Sequence, residues 1–480
     1  MKLRKHSIRK TYGILIKSPT LNSITPWNRS IQPPLGLLYL ALSLNTLNNK
    51  ILIYDFNLAR QFENNIIGII KRFKPDILGL SLKTVNFHDG LKISCIAKEI
   101  NPNIITIVGG PHITTSMMNE NNYHFQLTLM EMNKNKADIG VIGEGEETFK
   151  ELAAVTSYSN KKELEEIKGI IFRSGNKWVK TEDRPLIQDI DNIPFPDYSF
   201  LPYHWTYDSY LMITSRGCPS KCSFCDARVI WGGVYRQRTA ENILAEINFH
   251  THTLKKSKEF LISFTDDTFM VDQKRVAEIC EGILKNNYKI NWQCEARAVD
   301  TQNLNLLKLM RKAGCKSVFL GLESGDANTY KKVLKPNSFD LVLKAVNNIK
   351  ESGMAVVGSF IIDFPWDNNK TIRETIKFAK SLELDSISCA FATPFPGTDF
   401  FNKYDHNQKI YRYYSDDLYK NYDIGIPKFL NDELTLNNLL NYQKELYFSV
   451  KNSFIPLKRK NISKGNLENY FSSSCLINRR

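Results

Sequence analysis

Between Tyr12 and about Leu152, short apolar, β-branched runs alternate with stretches whose apolar residues recur at helical spacing. The runs GILIKSP (13–19), KILIYDFNL (50–58), DILGLSL (76–82), IITIVGG (104–110) and ADIGVIG (137–143) read as strands, and segments such as LGLLYLALSLNTL and GLKISCIAKEI as the helices between them. Five such βα units predict a doubly wound parallel sheet, on which ligands bind outside the carboxyl ends of the strands. From about Lys168 the pattern changes to a hairpin-like GIIFRSGNKWVKTE and then to Pro185, Pro194, Pro196 and Pro202, a proline density expected of a connector. A second βα series follows: LMITSRG (211–217), FLISFTDD (260–267), INWQCEAR (290–297), SVFLGLES (317–324), AVVGSFIIDF (355–364) and SISCAFATPF (386–395). Six parallel strands predict a partial barrel with its chemistry at the carboxyl ends. Beyond about Tyr404 the chain turns rich in Tyr, Asn and Lys, which predicts a small helical cap and a basic, polar tail.

The expected organisation is therefore a Rossmann-like α/β domain over 12–165, a linker over 166–205, a (β/α)6 partial barrel over 206–403 and a helical C-terminal region over 404–480. A length of 480 residues suits two domains better than one core. No run is long and apolar enough for a membrane span, and the start MKLRKHSIRK is unlike a signal peptide, so a cytoplasmic protein is expected. The net charge of +14 suits acidic partners, but a generally Lys- and Asn-rich composition accounts for it equally well, and a nucleic-acid partner is not expected.

Chemistry concentrates in RGCPSKCSFC, where Cys218, Cys222 and Cys225 follow a strand at spacings of four and three. Three thiolates can hold three irons of a cubane cluster and leave the fourth open. A zinc site would want a fourth ligand nearby, whereas Cys280 and His250 are far along the chain; a disulfide would leave an odd thiol. In INWQCEAR, strand alternation sets Asn291, Gln293, Glu295 and Arg297 on one face, a polar lining for the barrel interior. Asp266 and Asp267 close one strand and Glu323 closes the next but one, between Gly321 and Gly325. Strand-end carboxylates also commonly cap the following helix, and Arg297 could serve as a simple ion-pair partner. Arg236 and Arg238 could neutralise charge at the cluster or face solvent at a helix entrance. Trp366 in DFPWDN could shape a substrate pocket or be an exposed loop aromatic, and Cys280, Cys294, Cys315 and Cys389 read as small core residues.

In the first domain, Ser81 and Leu82 end the third strand and Gly109 and Gly110 the fourth, small residues that could leave a cleft or simply turn the chain. The Cys-x3-Cys-x2-Cys spacing with Phe224 before the last cysteine resembles the radical S-adenosylmethionine (SAM) superfamily. Together with PPLGLLYLA (33–41), PDILGLS (75–81), VGGPH (108–112) and GEGEETFKEL (143–152), the chain from about 13 to about 400 resembles its cobalamin-binding class.

That resemblance implies a [4Fe–4S] cluster on Cys218, Cys222 and Cys225, with SAM chelated at the open iron and Phe224 beside it. Asp267, Arg297 and Glu323 would hold the SAM amino group, carboxylate or ribose; Ser81, Gly109 and Gly110 would hold the cobalamin tail. One departure concerns the loop SPTLNSITPWNRSIQPP (18–34), which lacks the histidine that many cobalamin domains offer to cobalt; Asn22 and Asn28 are weak substitutes, and His112 is another polar candidate. The implied activity is methyl transfer to an unactivated carbon of a small-molecule substrate through a 5′-deoxyadenosyl radical and methylcobalamin, fed by a one-electron reductant such as flavodoxin or ferredoxin. The alternatives are an oxidative cyclisation or rearrangement with the same cofactors, or a non-catalytic iron–sulfur or corrinoid carrier. A methylthiotransferase is disfavoured, because the first 217 residues contain only Cys95.

Overall fold

The computed structural model describes residues 12–17, 32–45, 50–55, 66–118, 120, 123–155, 157–201, 207, 209–253, 261–404 and 418–450. Asn22, Asn28, most of the first βα loop, Pro202, Cys475 and the basic tail lie outside these residues. The described residues fall into two compact units, the first taking 12–17, 33–188 and 192–201, the second 32, 189–191 and 207 onward.

The first unit is a seven-stranded sheet. Its five parallel strands are β1 (Tyr12–Lys17), β2 (Lys50–Asp55), β3 (Ile77–Ser81), β4 (Ile105–Gly109) and β5 (Ile139–Val141), in the order β2-β1-β3-β4-β5. Such strands are covered on both faces, so they read as continuous apolar runs: Ile14, Leu78, Leu80, Ile107 and Val108 are all buried. The helices Leu35–Asn45 and Gly145–Ala154 pack on each other, while Phe87–Ile100 packs against β3, β4 and the helix Tyr123–Lys134. The strand order reverses at β1 and β3, the switch point beside which doubly wound sheets bind ligands.

The hairpin grouped with the connector belongs to this sheet. Its strands β6 (Ile170–Ser174) and β7 (Lys177–Lys180) add antiparallel to β5. Ile170, Ile171 and Phe172 are buried, and pairing with β5 satisfies both their side chains and an otherwise open sheet edge.

The second unit is a six-stranded, all-parallel sheet in simple sequence order. Its strands are β8 (Tyr210–Met212), β11 (Leu261–Phe264), β12 (Asn291–Ala296), β13 (Cys315–Glu323), β14 (Ala355–Ile362) and β15 (Ser386–Phe391), with a helix before each of the last five. The edge strands β8 and β15 do not pair, so this is the (β/α)6 partial barrel. The run LMITSRG is broken after Met212, because the Thr214 N–H is taken by the Asp266 carboxylate at 2.6 Å. Ser215–Arg216 (β9) then pairs antiparallel with Arg236–Gln237 (β10).

The helix Leu436–Phe448 packs on β15, where Gln443 Nε2 and Tyr447 Oη donate to the Cys389 carbonyl at 3.0 and 3.2 Å. It is the cap expected at the C-terminus, and it covers the open edge of the barrel. Among the described residues no helix is long and apolar enough to cross a membrane.

Candidate cofactor sites

The loop carrying Cys218, Cys222 and Cys225 leaves β9 at Gly217, whose φ of +92° and tight packing against the Val234 carbonyl exclude any side chain. Two acidic groups from the end of β11 hold its base. Asp266, buried, accepts from Thr214 N and from the Ser215 hydroxyl at 2.6 Å; Asp267 accepts from Gly217 N at 3.1 Å. Further along, Ser223 N donates to the Val333 carbonyl at 3.0 Å and Phe400 N to the Ser223 carbonyl at 2.9 Å. The loop is thus tied to three separate parts of the barrel.

All three thiols are free and partly buried. Burial raises the Cys222 thiol and, with Asp226 adding to it, pushes Cys225 up to about 12. A thiol so placed ionises when a metal replaces its proton, so the donor set fits iron. Among the described residues no three His, Cys, Asp or Glu side chains converge on a single metal ion. A cubane does not ask for that, because each of its thiolates bonds a different iron.

The strand-end residues meet this loop. Arg297 forms a two-pronged ion pair with Asp300, both contacts at 2.7 Å, and donates from Nη1 to the Ser220 hydroxyl at 3.1 Å. It is therefore an ion-pair partner and a brace of the cysteine loop at once. Glu323 sits at φ +61° where the β13 register slips against β14, and its Oε1 pairs with Lys335 Nζ at 2.8 Å. Lys335, which sequence reasoning did not single out, interacts with Cys222 and Cys225 as well. Burial works against its ammonium, but Glu323, with Cys222 and Cys225 adding to it as thiolates, outweighs that and holds it above the ordinary lysine range.

Glu295 opens to the barrel lumen yet is enclosed by protein on most sides. That enclosure, with Asp267 and Asp266 nearby, pushes it up to about 7. Asp267 is pushed up to about 6, chiefly by burial, with the Gly217 N–H pulling the other way. Close carboxylates of this kind, with the charge of Asp267 suppressing the ionisation of Glu295, can receive a cation.

Phe224 faces a small aromatic cluster of Phe364, Trp366, Phe400, Tyr404 and Phe429. Trp366 stacks on Phe364 at 5.0 Å and donates from Nε1 to the Thr329 hydroxyl at 3.0 Å, so it braces the cysteine loop through Phe364 and is no exposed aromatic. Arg236 and Arg238 are both buried, which corrects the reading of a solvated helix entrance. Arg238 commits its charge to buried Glu246, and Arg236 stacks over Trp231 at 5.9 Å. Cys280, Cys294, Cys315 and Cys389 are buried in the barrel core.

In the first unit Ser81 and Gly109 are register partners at the carboxyl ends of β3 and β4. Gly110 closes on the backbone of Leu82, where a Cβ would lie 2.9 Å from both its N and O; the fold itself fills that space. The open position is Gly143 after β5: its φ is +81°, its N donates to the Thr114 hydroxyl at 3.1 Å, and a Cβ there would meet nothing within 4 Å. A bulky ligand tail fits against such an uncovered turn, and the quoted motif GEGEETFKEL contained it without marking its role. His112 is wholly buried, with Nδ1 at 3.2 Å from the Thr84 hydroxyl and Nε2 at 3.4 and 3.3 Å from those of Ser116 and Thr128. Burial and the neighbouring His124 and His88 hold it well below its ordinary pKa, so it is a neutral structural residue that offers no nitrogen at the strand ends.

Comparison with known proteins matches residues 212–379 to the radical SAM superfamily and residues 29–153 to the B12 binding domain. The chain is 36% identical over 394 residues to an uncharacterised methyltransferase of Pyrococcus horikoshii, spanning 80% of this chain and 81% of the relative. It is 28% identical to the anaerobic magnesium-protoporphyrin IX monomethyl ester cyclase of Rubrivivax gelatinosus, over 77% of this chain and 66% of that one. Among solved structures, the radical SAM methyltransferase TsrM from Kitasatospora setae, with cobalamin and a [4Fe–4S] cluster bound, superposes with a TM-score of 0.63 at 15% identity, covering 82% of this chain and 74% of that one.

Proposed function

The chain belongs to the radical SAM superfamily and carries a B12 binding domain ahead of its radical SAM domain, and from that premise we propose that it is a cobalamin-dependent methyltransferase acting on an unactivated carbon of a small molecule. The observation that carries this reading is the convergence of Cys218, Cys222 and Cys225 with Asp267, Arg297 and Glu323 at the carboxyl ends of the barrel strands, in a chain that also presents the Ser81, Gly109 and Gly143 strand ends.

In this proposal the three thiolates hold the [4Fe–4S] cluster. When bound, the reduced cluster and SAM supply a 5′-deoxyadenosyl radical and the corrinoid supplies the methyl group. The chain's own residues do the rest. Gly217, Asp267 and Arg297 fix the loop so that the thiolates are preorganised. Asp267 and Glu295 receive the positive end of SAM in the barrel lumen, and the second oxygen of Glu323 remains available to a donor on the ligand. Phe224 and the aromatic group behind it keep one side of the loop dry. In the first unit, Ser81, Gly109 and the open turn at Gly143 would cradle the corrinoid tail, with no imidazole from His112. Electrons come one at a time from an external reductant of the flavodoxin or ferredoxin kind.

Similarity to the cyclase supports a second reading, oxidative ring closure with the same cofactors. The two readings differ in their products. Methyl transfer consumes two SAM molecules, one leaving as 5′-deoxyadenosine and methionine and the other, having given up its methyl group, as S-adenosylhomocysteine. Anaerobic reconstitution with iron, sulfide and hydroxocobalamin, followed by mass spectrometry of the SAM products, is expected to give both nucleosides. 5′-Deoxyadenosine without S-adenosylhomocysteine would favour the cyclase reading, and neither would refute both.

A further inference from the structure

The pair Lys335–Glu323 is built at some expense to the fold. Both side chains are more than nine-tenths buried. Glu323 adopts a left-handed φ of +61° at a register slip in β13, and Leu334, just before the lysine, is left-handed too, at +56°. Non-glycine residues rarely adopt this region, because it strains the backbone. Gly321 completes the arrangement: a Cβ there would lie 2.7 Å from Glu323 Oε1 and 3.0 Å from Lys335 Nζ, so any side chain at 321 would displace the pair. The segment carrying the lysine is anchored to the cysteine loop by the Ser223 N to Val333 O bond at 3.0 Å.

A lysine held this way, with its charge acting on Cys222 and Cys225, does more than neutralise one carboxylate. An oxidised cubane core of charge +2 with three thiolates carries a net −1, and the added electron takes it to −2. A fixed ammonium whose charge acts on two of the thiolates favours the state with the extra negative charge, and in a buried setting that preference is weakly screened.

We propose that Lys335 is the built-in counter-charge of the cluster, setting the ease of its one-electron reduction, and that Glu323 moderates it. The proposal rests on the cluster being held by Cys218, Cys222 and Cys225. Lys335 is thus a positioning residue that acts through the cluster rather than on the substrate.

The test compares full-length E323Q with the double variant K335Q/E323Q, both reconstituted anaerobically. The two share Gln at 323 and differ by the ammonium alone. Iron content and the midpoint potential of the cluster, followed by electron paramagnetic resonance during reductive titration without SAM, are the readouts. The expected result is a potential ordered E323Q above wild type, with the double variant below E323Q. Coincident potentials in E323Q and the double variant would overturn the proposal. Should the double variant not hold iron, K335Q against wild type decides: a lower potential supports the counter-charge and an unchanged one removes it. Failure of wild type itself to bind iron would defeat the cluster reading instead, which keeps the two failures apart.

Discussion

Gly217 and Glu295 illustrate how single positions constrain this site. At Gly217 any side chain meets the Val234 carbonyl in a backbone conformation that L residues rarely adopt. G217A is therefore expected to cost about 2–3 kcal/mol and to loosen the cysteine loop, read as a lower melting temperature together with sub-stoichiometric iron after reconstitution. Unchanged iron and stability would contradict the role given to that turn. Glu295 makes a pH-dependent statement. Its folded pKa of about 7 lies above the unfolded value of 4.5, so the folded apoprotein holds a proton that the unfolded chain has released, and stability is lost as pH rises through 7. E295Q should thus stabilise the apoprotein at pH 8 by about 1 kcal/mol, less than the full shift implies because the side chain reaches solvent, and hardly at all at pH 5. Ligand binding has the opposite sense: SAM affinity is expected to rise about tenfold from pH 5.5 to 8 as Glu295 and Asp267 ionise, and E295Q should flatten the upper part of that rise. Isothermal titration across this range would reveal a flat wild-type profile if the carboxylates do not face the ligand.

At the scale of elements, the strands of both sheets were legible because parallel strands covered on two faces are continuous apolar runs, as in IITIV and SVFLGL. What escaped was decided by partners distant in sequence. The β6–β7 hairpin looked like part of a connector because its turn and flanking prolines are local signals, whereas its docking on β5 is not. Lys335 lies in LKPN, a segment with no motif; its meeting with Glu323 depends on the helix Ala327–Lys332 turning the chain back towards β13. The cysteine triad, by contrast, is compact in sequence and announces itself. Arg297 was read as either ligand or ion-pair partner, and it does pair with Asp300 while also bracing Ser220. The C-terminal segment is secured in a similar non-local way: Asp363, at φ +71° after β14, accepts from the backbone N–H groups of Lys428 and Phe429 and faces the buried Lys428. D363A would strand two buried N–H groups and a buried charge, with an expected loss of about 3 kcal/mol, or roughly 6–10 °C in melting temperature, and D363N should lose less. Equal melting of the two variants would show that the carboxylate is not what holds the segment.

At the scale of the whole molecule, the chain divides its cofactor chemistry between two units, and each should be separable by a point substitution in the intact protein. Asparagine tolerates left-handed backbone, so G143N should fold with little loss while its side chain fills the uncovered turn after β5. The expected outcome is a corrinoid occupancy at least about tenfold lower by absorbance, equivalent to some 1.4 kcal/mol, with iron content unchanged. Full corrinoid occupancy in G143N would move the tail away from that strand end. The most direct test of the account concerns the cluster on which the rest depends. Replacing Cys218, Cys222 and Cys225 together by alanine, reconstituting anaerobically, and measuring iron and 5′-deoxyadenosine release from SAM in one preparation should give a folded protein without cluster absorbance and without SAM cleavage. Retention of about four irons per chain with continued SAM cleavage would contradict it, because those thiolates are the proposed anchors.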